Sequence, residues 1–112
     1  MSMNEQQGVM VIKPQNKRID AAFAIELKAQ MMSLIQQGHQ RIVLDFANIE
    51  FMDSSGLGTI VAMMKMLGGS QYLALCHVND TVLNVLRLTR TDKILAVEAN
   101  PASAIARLTS MH

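Results

Sequence analysis

The sequence predicts a small α/β domain with a largely parallel sheet covered by helices. Two observations carry this. Short β-rich apolar runs alternate along the chain with stretches of helical period, in the order β-α-β-α-β-α-β-α. The strand segments are also too uniformly apolar to show either face to water, as expected of parallel strands roofed on both sides. With 112 residues, half of them hydrophobic, the chain suits one domain with a real core and leaves no room for a second.

Residues 1–7 are polar and read as a flexible N-terminal segment. GVMVIKPQNK is a short apolar run closed by Pro14 and polar residues, a strand and turn. From Ala21 to Gln37, Phe23, Leu27, Met31, Leu34 and Ile35 recur at helical spacing and Gly38 supplies the stop. RIVLDF is compact and β-branched, a buried strand. After the ANIEF connection, FMDSSGLG opens a second helix that runs to Gly68-Gly69. YLALCHV is another buried strand. Asn79 or Asp80 caps a third helix through about Arg90, and ILAVEA is the last strand. Asn100-Pro101 starts a terminal helix, with Pro where its missing N–H is harmless.

Composition excludes several classes of function. A net charge of +1, with ten scattered Lys and Arg, provides no concentrated basic face for nucleic acid. The opening MSMNEQQG lacks the build of a signal peptide, and no apolar run approaches the roughly 20 residues that span a bilayer. A cytoplasmic protein without membrane insertion is expected. The single Cys76 has no internal disulfide partner and reads as a buried small hydrophobe in its apolar run.

FMDSSGLG lies at the mouth of a βα unit, where open α/β sheets carry function. It is not a P-loop, because Thr59 and Ile60 follow Gly58 where a phosphate-clamping Lys would be needed. The third glycine of a dinucleotide fingerprint is replaced by Val61. A hydrolase elbow needs Gly two residues before its serine, and Met52 and Asp53 stand there instead. His39, His77 and His112 form no pair at ligand spacing, so neither a metal nor a cofactor is expected. Asp20, Asp45 and Asp53 sit near strand ends, where three carboxylates could hold a metal or work as an acid–base pair, but caps and turn-formers are commoner there. What remains is a serine pair at a helix start. Ser54 or Ser55 can cap the first free N–H groups, and the positive end of the helix dipole tolerates an added phosphate.

VLDFANIEFMDSSGLGTIV resembles the signature of the STAS family, and most of all its anti-sigma factor antagonist branch. The resemblance covers nearly all of the chain and implies a single STAS-like domain over residues 1–112, a small mixed sheet with about four helices. It also implies a non-enzymatic partner switch. The unmodified protein binds an ATP-dependent serine kinase that is also an anti-sigma factor, phosphorylation releases it, and a metal-dependent serine phosphatase resets the cycle. Ser54 takes the place of the phosphorylated serine and Ser55 that of its hydroxyl neighbour, with Gly56 next to them. Asp53 matches the motif acid, and Asp20 resembles the family acid that ends the second strand beside the acceptor. The sequence departs from the family in lacking a Gly before Asp20, and in having Arg90-Thr91 where a late Gly is usual. The resemblance keeps one alternative open, since some STAS domains are never phosphorylated and serve as regulatory subunits of membrane transporters.

In the second helix, Leu57, Ile60, Val61 and Met64 form the stripe expected to pack on the sheet. Thr59 and Met66 then point away, with Gly56 and Met63 at the margin, so Thr59, Met63 and Met66 are the expected partner-binding residues.

Overall fold

The computed structural model describes residues 1–110; the terminal His112 lies outside them. Alternation of side chains along the strands divides the core into two layers. On one face of the sheet Ile12, Ile42, Leu44, Leu73 and Leu75 pack with Phe23, Leu27, Met31, Leu57, Ile60, Val82 and Leu86 from three helices. On the other, Val9, Val11, Val43, Ala74, Cys76 and Ala96 meet Ala104, Ile105 and Leu108 of the terminal helix. Small residues there let that single helix sit close.

The elements are β1 (Ser2–Gln6), β2 (Val9–Lys13), β3 (Arg18–Ile19), α1 (Ala21–Gln36), β4 (Ile42–Asp45), β5 (Phe51–Met52) and α2 (Ser54–Leu67). They continue with β6 (Leu73–Cys76), α3 (Asp80–Leu88), a 3₁₀ turn (Thr91–Lys93), β7 (Ala96–Glu98) and α4 (Pro101–Thr109). Five strands form one sheet in the order β1-β2-β4-β6-β7. Only the β1–β2 pair is antiparallel, so the expected mixed, largely parallel sheet with four helices is what forms.

Two parts of the sequence reading are corrected. Residues 1–7 are not a flexible segment: Ser2 to Gln6 pair with Lys13 to Val9 as an edge strand. The hairpin closes through Gln7 at φ 54° and Gly8 at φ 78°, the two positive values that a two-residue type I′ turn requires. Every residue of β1 is exposed, so its polarity reflects an edge strand that avoids further pairing. The short ribbon of β3 and β5, paired in parallel, was also absent from the element order read from periodicity. At two residues each, these strands are too short to show a period.

The third helix ends at Leu88 rather than about Arg90, and Arg90 has φ 61°. Arg90, in the Arg90-Thr91 pair that the resemblance sets against a late glycine, thus holds the left-handed backbone that glycine adopts most easily.

Candidate functional site

The site is built where β3 and β5 run side by side into α1 and α2. Arg18 pairs with Phe51 and Ile19 with Met52, so the next residues, Asp20 and Asp53, leave the ribbon together. The Asp53 N–H donates to the Ile19 carbonyl at 3.1 Å, which locks the two exits. Each aspartate then caps a helix. Asp20 Oδ1 accepts from the Phe23 N–H and Asp53 Oδ1 from the Gly56 N–H, both at 3.0 Å.

The expectation that Ser54 or Ser55 caps α2 is therefore corrected. Asp53 has the extended backbone of a cap, while Ser54 is the first helical residue. An Asp in that role leaves both serines free of the cap, and both are exposed.

Gly56 is buried rather than marginal, and its role is steric. A Cβ there would collide with Ile19 Cγ2 and would stand 2.7 Å from the Ile19 carbonyl oxygen. Glycine is what lets the first turn of α2 lie against β3. Gly58 differs: it is exposed, and a Cβ there would meet nothing within 4 Å.

The buried face of α2 consists of Gly56, Leu57, Ile60, Met63 and Met64. Met63, expected on the partner side, is fully buried at 0% exposure. The physical reason is that α2 packs on α1 as well as toward the sheet, which rotates the apolar arc toward Met63 and leaves Val61 half-buried. Met66 is exposed at 52% and Thr59 is half-buried, so these two remain available. Ser55, Gly58, Ala62 and Met66 form one exposed stripe beside Ser54, flat because most of its side chains are small.

Two further residues, which the sequence reading did not assign a role, lie on the ribbon that leads to Asp53 and Ser54. Phe51 is exposed, and the Arg18 guanidinium lies 5.1 Å from its ring centroid. The aromatic residue that opens FMDSSGLG was the signal available for them. The loop carrying Phe51 is tied down by hydrogen bonds from Asn79 Nδ2 to the Ile49 carbonyl at 3.0 Å and from the Glu50 N–H to the Lys17 carbonyl at 2.6 Å.

Asp45, read as a strand-end turn-former, accepts from the Ala47 N–H at 3.0 Å and is buried. Cys76 is fully buried, as expected of a small hydrophobe. Burial, and the Asp45 carboxylate beside it, push its thiol up to about 12.

Comparison with known proteins places this geometry. The model of the STAS domain family matches residues 1–104. The chain belongs to the STAS family. An anti-sigma F factor antagonist of Paenibacillus polymyxa is 31% identical, over 96% of this chain and 93% of its own. The crystal structure of TM1081 of Thermotoga maritima superposes with a TM-score of 0.88 at 25% identity, covering 96% of this chain and 93% of that one. The Bacillus cell fate determinant SpoIIAA in its phosphorylated form gives 0.70 at 23% identity, over 96% of this chain and 97% of its own. The STAS signature read from VLDFANIEFMDSSGLGTIV thus falls on the β4–α2 segment, with its serines on the outer surface.

Proposed function

We propose that this STAS domain is an anti-sigma factor antagonist that works by partner switching through Ser54. The unphosphorylated protein binds an anti-sigma factor that is also an ATP-dependent serine kinase and frees that factor's target. Phosphorylation of Ser54 releases the antagonist, and a metal-dependent serine phosphatase restores it. The domain is substrate and ligand in this cycle, not catalyst.

The observation that supports the reading best is the exposed Ser54 at the first position of α2, relieved of capping by Asp53. A phosphate there lies within the first turn, where the helix dipole favours negative charge. The fold can therefore carry the modification. A partner face cannot ignore it, because the net charge changes from +1 to about −1. The added charge also appears beside the Asp20 and Asp53 carboxylates, so a partner docked over this end of the ribbon meets a concentrated negative patch.

The test is incubation of purified variants with the cognate kinase and ATP, read by intact mass and by kinase affinity. Parent protein should gain one phosphate and Ser55→Ala should still gain one. Ser54→Ala should gain none yet bind the kinase, and Ser54→Asp should bind poorly. Because Asp53 holds the cap, both Ser54 variants should melt close to the parent. A phosphate that persists on Ser54→Ala and disappears from Ser55→Ala would move the acceptor to Ser55. No phosphate on any variant, with a kinase active on a control substrate, would overturn the switch.

A further inference from the structure

On the α4 side of the sheet, parallel pairing places Asp45 directly opposite Cys76 at the C-terminal ends of β4 and β6. His77 follows with φ 54°, a left-handed conformation that few non-glycine residues adopt. Its ring turns back over the strand ends, so that Nδ1 lies 2.9 Å from Asp45 Oδ1. One carboxylate oxygen, the Cys76 sulfur and one imidazole nitrogen thereby come within 4.8 Å of one another. Among the described residues this is the one such convergence of metal-ligating side chains.

We propose that Asp45, Cys76 and His77 form a binding site for a zinc-class divalent transition-metal ion, with a fourth coordination position open to solvent. Sulfur, imidazole and carboxylate together are the donor set of a borderline-soft ion, not of calcium or magnesium. Bond lengths of about 2.0 to 2.3 Å set tetrahedral edges of about 3.3 to 3.7 Å. The ion would spread the Asp45–His77 contact slightly and draw in the sulfur, a change within reach of a ring that is 41% exposed. The other two ligands are held in place, Cys76 by the strand register and Asp45 by the Ala47 N–H. Entry is from the His77 side.

The chemistry balances. The Cys76 S–H bond is exchanged for a sulfur–metal bond and its proton goes to solvent, while His77 binds through Nδ1 with its remaining proton on Nε2. A buried carboxylate beside a buried sulfur disfavours the thiolate, and a divalent cation between them reverses that effect. The proposal is independent of the phosphorylation reading, because none of its ligands lies in FMDSSGLG.

Cobalt(II) titration of the chelator-stripped full chain tests it. Since Cys76 is the single cysteine, an intense near-ultraviolet thiolate-to-cobalt charge-transfer band can come from no other residue of the chain. We expect that band, with the visible bands of low-coordinate cobalt, and its loss when zinc is added. Cys76→Ala should abolish the charge-transfer band. His77→Asn, which tolerates the left-handed backbone, should weaken binding about tenfold or more. His39→Ala, altering the surface His39 that pairs with Glu5 at 3.6 Å, should change nothing. Absence of the charge-transfer band in the parent would overturn the site, as would equal affinities for the parent and His77→Asn.

Discussion

Asp20 and Asp53 each meet a local need of a helix start, and under the proposed function the same side chains would also border the recognition surface. Each carboxylate uses Oδ1 to accept a first-turn N–H of its helix. The rest of its charge is left at the end of the ribbon, beside Ser54. A cap replaced by Ala loses about 0.5 to 2 kcal/mol, whereas Asn caps about as well as Asp. Asp20→Asn therefore separates the two roles. It should leave the melting temperature nearly unchanged and lower kinase affinity or the rate of Ser54 phosphorylation, both measurable on the same preparation. Equal rates and affinities would confine Asp20 to capping. The residue scale is also where the sequence was most legible, because Asp20, Asp53 and Ser54 stood out by identity and motif. Asp45 and His77 were visible only as a turn-former and an unpaired histidine, since a β4–β6 pairing brings them together across 32 residues of sequence.

At the scale of the element, α2 shows where periodicity succeeds and where it stops. The helix begins and ends where the sequence places it, and Gly68 at φ 116° is the expected stop. Leu57, Ile60 and Met64 are buried as read. Met63 was misplaced because a single stripe assumes a single packing partner, while α2 has α1 beside it and β3 against its first turn. Neither neighbour can be read from the heptad-scale spacing of α2 itself. The exposed stripe that remains gives a sharper test than Met63 could. Gly58→Ala adds one methyl to an exposed helical position with open space above it. That should stabilise the domain by about 0.5 to 1 kcal/mol. If the stripe docks against the kinase, the same methyl and Met66→Lys should each weaken binding while the fold is unharmed. Kinase affinity by calorimetry, set against thermal melting, reads both. Unaltered affinity in both variants would remove this face from the interface.

Over the whole molecule, the sheet is protected unequally at its two edges. At one, β7 is short and flanked by the 3₁₀ turn and α4. At the other, the protection is β1 alone, a strand of SMNEQ with every residue exposed, whose partner β2 carries the buried Val9, Val11 and Ile12. The parallel core and its order of helices were legible because buried strands and amphipathic helices leave strong patterns. β1 was not, because an edge strand is selected for polarity and so resembles a disordered tail. The two possibilities differ in what removing residues 1–7 should do. A tail could be removed without consequence. An edge strand, once removed, exposes the unpaired backbone groups of β2 along an apolar row, a template for pairing with a second copy. Because β1 itself buries little, we expect a modest loss of stability, about 1 kcal/mol or a few degrees in Tm. We expect a larger change in association, with concentration-dependent dimers or higher species in sedimentation velocity where the full chain does not form them under the same conditions. Restoring a charged strand, for instance through Asn4→Lys in the full-length chain, should keep the protein as dispersed as the parent, since Asn4 lies on the exposed strand opposite Val11. If the shortened protein instead melts with the parent and sediments identically at every concentration, β1 contributes nothing to guarding β2, and the edge must be protected by the twist and side chains of β2 itself.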